Sequence, residues 1–236
     1  MKMIAHRGAS VERTENTLES LLRGSALGAY AVECDLRLTK NGKFVLFHDD
    51  TLKRLSGDDR RVSDLTEDEM RISLAKAGIP ILTFDDILQR YEGTAYVLLD
   101  LTLPPQGYTD EFFRMLSEQR VRFVCGVHAV SEAETARKYF PAERILAFMP
   151  DMRMYEDFFR AGAGCIRLWE QWLDRVTPAD VHAACPGADV WIMSNRPGTG
   201  MDGTLDSLKA LDALGADGVL LNDIRLGVEY EKNKYK

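Results

Sequence analysis

The sequence holds no apolar run approaching the roughly 20 residues of a membrane span, which excludes a helical transmembrane anchor. It has no basic cluster either. Thirty basic against 37 acidic residues leave a formal net charge of −7, which repels nucleic acid and anionic lipid surfaces. Residues 232–236 are rich in lysine but interrupted, and read as a solvated tail. The four cysteines, Cys34, Cys125, Cys165 and Cys185, form no CxxC pair and no metal-ligand spacing with histidine, so they read as reduced core thiols of a cytoplasmic protein. Histidine is equally scarce, with four residues in the chain. The opening Met1-Lys2-Met3-Ile4-Ala5-His6 is already strand-like, which leaves no room for a signal peptide. Internal repeats and low-complexity tracts are absent.

What the chain does have is apolar content of 45% and charge of 28% over 236 residues, enough to build one large core. Short runs rich in Val, Ile, Leu and Phe recur at residues 2–7, 31–38, 95–103, 121–128, 144–149, 164–169, 189–194 and 218–222. Helical patterns lie between them at 16–27, 84–91, 109–119, 131–139, 154–161, 178–184 and 205–214, with a last one after Asp223. Eight strand-then-helix pairs predict an α/β fold of the (β/α)8 TIM barrel type, a single domain over residues 1–236. Asn16, with Glu19 three residues on, predicts a capping box at the first helix. Gly28 and Gly215 read as left-handed helix ends. After the second run, Lys40-Asn41-Gly42-Lys43 predicts a type I′ hairpin turn leading into residues 44–47. The polar stretch at about 50–78 then reads as an insertion over one face of the barrel.

Side chains two apart on a strand share a face, so Glu33 and Asp35 point into one space while Val32, Cys34 and Leu36 point into another. Near a barrel mouth, two such carboxylates suit Mg²⁺ or Ca²⁺, and a bound cation relieves their mutual repulsion. The competing reading is a surface pair on an edge strand. Asp100 stands in the apolar run Tyr96-Val97-Leu98-Leu99-Asp100-Leu101, where a carboxylate needs a partner, and is the natural third ligand. Alternatively it caps the turn after its strand. His6 and His48 both sit where strands become loops, and two imidazoles can act as base and acid across a phosphorus centre. Arg7 can grip a phosphate oxygen with its planar fork. His128 and His182 read as hydrogen-bonded structural residues.

Taken together, His6-Arg7-Gly8, Glu15-Asn16-Thr17, Glu33-Cys34-Asp35, Lys40-Asn41-Gly42 and His48-Asp49 resemble, in order and spacing, the N-terminal signature of the glycerophosphodiester phosphodiesterases. Further on, Asp50-Thr51-Leu52-Lys53-Arg54, Ile79-Pro80-Ile81-Leu82, Trp191 and Ala216-Asp217-Gly218-Val219 are similar to later landmarks of that family. The resemblance implies a TIM barrel with a small insertion after its second strand, a divalent metal, and hydrolysis of a phosphodiester to an alcohol and a phosphomonoester. It also implies His6 and His48 as general base and acid, Glu33 and Asp35 as metal ligands, and Arg7 on the phosphate.

The third-strand pattern of that family is usually Glu-x-Lys, with the glutamate on the metal and the lysine on the phosphate. This chain has Asp100-Leu101-Thr102 instead. Asp for Glu keeps the charge with a shorter reach, and Thr for Lys removes a cation that would stabilise the transition state. Arg167, in Cys165-Ile166-Arg167-Leu168-Trp169, is the candidate replacement; its alternative is a rim arginine paired with Glu170. The expected partner is a small-molecule phosphodiester, with neither nucleic acid nor membrane insertion. Two rival functions are another phosphodiester on the same scaffold and a catalytically silent barrel that binds a phosphorylated ligand.

Overall fold

The computed structural model describes residues 1–104, 107–193 and 203–234. Ser194, at the end of the seventh expected run, and the last two residues of the tail lie outside them. The chain order is β1 (Lys2–Ala5), α1 (Leu18–Leu27), β2 (Ala31–Leu38), β3 (Phe44–Leu46), α2 (Lys53–Ser56), α3 (Glu67–Ala75), β4 (Leu82–Thr83) and α4 (Phe84–Arg90). It continues with β5 (Tyr96–Leu101), α5 (Asp110–Ser117), β6 (Phe123–Val127), α6 (Val130–Arg137), β7 (Ile145–Ala147) and α7 (Tyr155–Arg160). The final third holds β8 (Cys165–Trp169), α8 (Pro178–Ala184), β9 (Asp189–Met193), α9 (Leu205–Ala213), β10 (Gly218–Leu221) and α10 (Ile224–Asn233).

β1 pairs with both β2 and β10, β2 with β5, and β5 to β10 in succession, all in parallel, so eight strands close a TIM barrel. Period-two alternation sorts each strand between two environments. Ile4, Ala31, Leu98, Val124, Leu146, Cys165, Trp191 and Leu220 fill the barrel interior, while Val32, Cys34, Val97, Leu99, Phe123 and Ile166 pack outward against the helices. β3 and β4 stand outside the ring. β1 reaches only as far as Val32, and β3 runs antiparallel along the edge of β2 that it leaves open, at Leu36–Leu38. β4 extends that ribbon by one more strand.

Residues 50–78 fold onto this ribbon. Leu52, Val62, Leu65, Met70 and Leu74 from the segment pack with Val45, Phe47 and Ile81 as a separate apolar cluster. Two local expectations are corrected. Asn41 lacks the positive φ that a type I′ turn requires; Thr39 accepts from the Gly42 amide and Gly42 alone turns left-handed at φ 72, giving a type I turn with a glycine bulge. Asn16 does not cap α1. Thr17 does, its hydroxyl accepting from the Ser20 amide, because the Asn16 side chain is committed elsewhere. Gly28 ends α1 in the left-handed conformation, as expected.

Candidate active site

The residues singled out in the sequence gather at the C-terminal ends of the barrel strands. β2 and β5 run in register with Asp35 opposite Asp100, and Glu33 lies one inward step below Asp35. Glu33, Asp35 and Asp100 each offer a ligand atom, and these atoms lie within 4.8 Å of one another. Glu33 and Asp35 are buried, 2% and 4% exposed, which excludes the surface-pair reading. Burial and the neighbouring carboxylates push Glu33 well above its usual pKa, and burial with the Asp100 charge raises Asp35. Three hard-oxygen donors crowded in this way fit a divalent cation such as Mg²⁺ or Ca²⁺.

The protein holds one oxygen of each carboxylate. Glu33 Oε2 accepts from the Arg7 backbone amide at 2.8 Å, Asp35 Oδ2 from Asn16 Nδ2 at 2.8 Å, and Asp100 Oδ1 pairs with His128 Nε2 at 2.6 Å. Asn16 also accepts from the Asp35 amide at 3.1 Å, so it clasps that residue at both ends. These anchors depend on unusual backbone. Among the described residues Arg7 and Asn16 are the non-glycine residues with positive φ, 56° and 55°, a conformation that costs on the order of 1–3 kcal/mol each. The Arg7 carbonyl repays part of that by accepting from Ser20 Oγ at 2.9 Å and the Asn16 amide at 3.2 Å. Gly8, at φ 79, follows because a Cβ there would lie 2.6 Å from the Ser20 carbonyl carbon.

His6 is 3% exposed, and burial followed by the Arg7 charge pushes its imidazole down to about 3, so it is neutral. Its Nδ1 lies 2.7 Å from Asn222 Oδ1, an acceptor, which places the proton on Nδ1 and leaves Nε2 with a lone pair 3.9 Å from Glu33 Oε2. His48 stands at the rim with 44% of its side chain exposed, its Nδ1 on Asp49 Oδ1 at 2.6 Å. Its charge acts on both His6 and Asp35. An ionic chain runs from His48 through Asp49, Arg54 and Glu15 to Arg7. Burial pushes the Glu15 carboxyl up, and Arg54 and Arg7 more than offset it, holding it below its ordinary value.

On the far side, Arg167 points into the barrel at 4% exposure and makes no ion pair among the described residues, so the Glu170 pairing is not formed. Its Nε and Nη1 are buried without a hydrogen-bond partner, and its guanidinium lies 4.0 Å from the Trp169 ring, 5.2 Å from Phe148 and 5.7 Å from Trp172. Burial pushes it down to about 10, against the opposing pull of Asp100. His128 is hydrogen-bonded, as expected, but to a residue of the triad: besides bonding Asp100 it stacks on Phe148, ring centroids 5.4 Å apart and planes 16° off parallel. Burial alone would lower its pKa, but the bond to Asp100 carries it above the ordinary value. One signal was present, since His128 closes its strand run as His6 closes the first. His182 does serve the structure, tying α8 to Asp217 at 2.7 Å.

The sequence pattern of the glycerophosphoryl diester phosphodiesterase family matches residues 6–145. A glycerophosphodiester phosphodiesterase of Caldanaerobacter subterraneus is 41% identical over 69 residues, 29% of this chain and 28% of that protein. YhdW of Bacillus subtilis is 23% identical over 236 aligned residues, 93% of each chain. Over local matches of this kind the chain spans less than a third of the relative's length. Among solved structures, an Oleispira antarctica phosphodiesterase in complex with the product sn-glycerol-3-phosphate superposes with a TM-score of 0.77 at 18% identity, covering 99% of this chain and 97% of that one. That likeness is one of fold.

Proposed function

This chain belongs to the glycerophosphoryl diester phosphodiesterase family, and on that premise we propose that it hydrolyses a glycerophosphodiester to an alcohol and glycerol 3-phosphate. The observation that carries the reading is the triad Glu33, Asp35 and Asp100, each with one oxygen held by the protein and the other free of hydrogen bonds among the described residues. These three would hold a Mg²⁺ or Ca²⁺ ion, which when bound polarises the phosphorus centre and offsets charge on its oxygens.

The rest of the chemistry belongs to the side chains. His6, neutral and with its Nε2 lone pair turned to the Glu33 side, accepts a proton from the nucleophile. That nucleophile is water, which gives glycerol 3-phosphate directly, or the neighbouring hydroxyl of the glycerol, which expels the alcohol and leaves a cyclic phosphate that water then opens to glycerol 3-phosphate. His48, whose Nδ1 is held by Asp49, returns a proton to the leaving alcohol through its outward Nε2. Asp49 fixes the orientation of that ring. Arg7 binds phosphate from the near side, and Arg167 supplies from β8 the cation that Thr102 lacks. A buried guanidinium with unpaired N–H groups is poised for an anion, which would complete its hydrogen bonds. The Asp100 and Thr102 departures favour a second reading, in which the same machinery prefers a phosphodiester with a different head group.

On this reading residues 1–236 act as one barrel domain with an insertion at about 50–78, on a small-molecule substrate and without nucleic acid. Four free, buried cysteines support a cytoplasmic setting. Among the described residues no helix is long and apolar enough to cross a membrane. The test is release of glycerol 3-phosphate from a glycerophosphodiester by metal-stripped protein, with Mg²⁺ or Ca²⁺ restored and His6→Ala as control. Activity that returns with metal and is absent from the variant supports the proposal; an inactive wild type under both metals overturns it in favour of another diester or of binding alone.

A further inference from the structure

Two of the three carboxylates are aimed by groups that the family signature already contains, the Arg7 amide and Asn16. The third has a different partner. Asp100 is one methylene shorter than glutamate and is the most exposed of the triad, with 20% of its side chain accessible against 2% for Glu33. It is therefore the ligand with most freedom to turn away.

The structure around His128 removes that freedom. The His128 backbone amide donates to Glu132 Oε2 at 2.8 Å, which fixes the residue at the start of α6. Its ring is stacked on Phe148, and Phe148 has its place because the strand residue opposite Asp100 is Gly126. A Cβ at Gly126 would lie 2.7 Å from Phe148 Cδ2 and 2.9 Å from the Leu99 carbonyl oxygen. Stacked in this way, the ring turns Nε2 toward Asp100 Oδ1, 2.6 Å away. Because a carboxylate only accepts, Nε2–H is the donor, and Asp100 keeps its second oxygen for the cation.

We propose that His128 is a positioning residue that aims Asp100 at the metal, as the Arg7 amide and Asn16 aim Glu33 and Asp35. Outer partners of this kind typically govern metal affinity by about 10–100-fold. The inference rests on the proposed function only in taking the triad to bind a divalent cation.

Calorimetric titration of the metal-stripped full chain with Mg²⁺, and separately with Ca²⁺, tests it. His128→Phe keeps the stack on Phe148 and removes the donor; His128→Gln keeps an N–H donor. We expect His128→Phe to bind metal about 10–100-fold more weakly than wild type, with unchanged melting temperature without metal, and His128→Gln to recover most of the loss. In an Asp100→Asn background, His128→Phe adds nothing. Turnover of His128→Phe recovers when metal is raised to saturation, a split that a purely structural defect would not give. Wild-type affinity in His128→Phe, or an undiminished loss in the Asp100→Asn background, overturns the proposal while leaving the metal site standing. A wild type that binds neither metal overturns the metal reading itself.

Discussion

The two sides of the barrel mouth are built on different principles. On the β1–β2 side, Glu33, Asp35 and His6 are buried; the two carboxylates accept from the Arg7 amide and Asn16, and His6 donates to Asn222. On the β5–β8 side, Asp100 and His128 have 20% and 42% of their side chains exposed, and Arg167 lies buried with no ion partner among the described residues. The first side spends backbone strain on holding its groups still, at Arg7 and Asn16. The second uses ring stacking and leaves a charge uncompensated. On the proposed function, that difference would separate a frame for the reaction from a receptor for the anion that enters it.

Exchanging His6 for Ala should produce the largest change, lowering turnover about 10²–10⁴-fold while calorimetry finds metal affinity unaltered; near-normal turnover would place the proton transfer elsewhere. Arg167→Met should lower kcat/KM by about 10²–10³-fold. Its melting temperature should rise, because a buried unpaired cation is costly to desolvate; a fall in stability would mean that Arg167 is structural and that the two sides are not so different. Gly126→Ala should cost about 1–3 kcal/mol of stability by overpacking against Phe148, and its metal affinity should fall with it, read by denaturant unfolding and calorimetry together.

Acidity gives a subtler contrast. Glu33 and Asp35 titrate above their ordinary values when no metal is present, so the folded state holds protons that the unfolded chain has already released. Stability of the metal-free protein should therefore fall as pH rises from the ordinary carboxylate range through the raised folded values, and added cation should abolish that fall. Melting curves across pH with and without Mg²⁺ check it; a metal-free curve that climbs with pH contradicts the assignment. Thr102→Lys should have the smallest effect, leaving turnover close to wild type if Arg167 already supplies the missing charge. A large gain in rate would show that it does not.

Much of this was legible in the sequence because it depends on period and local spacing. The alternation in Val32-Glu33-Cys34-Asp35-Leu36 gives two faces whatever surrounds the strand, and all eight strand runs fold where the pattern puts them. The turn at residues 39–43 departs from the expected type because Asn-Gly serves two hairpin turns: here Asn41 stays at negative φ and the turn closes one residue earlier, from the Gly42 amide to the Thr39 carbonyl. Partnerships between distant residues were out of reach. Nothing near His128 announces Asp100, 28 residues away, and nothing near His6 announces Asn222. The place of Arg167 on a strand is legible, but its lack of an ion partner among the described residues is a property of the folded interior alone.

Asn16 sets a limit on what this chain can become. Its backbone is left-handed, its Oδ1 accepts from the Asp35 amide, and its Nδ2 donates to the Asp35 carboxylate. Aspartate would tolerate the backbone but would replace the donor with a fourth negative charge beside the triad. Glutamine keeps the carboxamide but is a methylene too long and less at ease at positive φ. Glycine relaxes the backbone and removes the clasp. Of these four side chains asparagine alone meets all three demands, so the backbone turn and the aim of the Asp35 carboxylate depend on the same carboxamide.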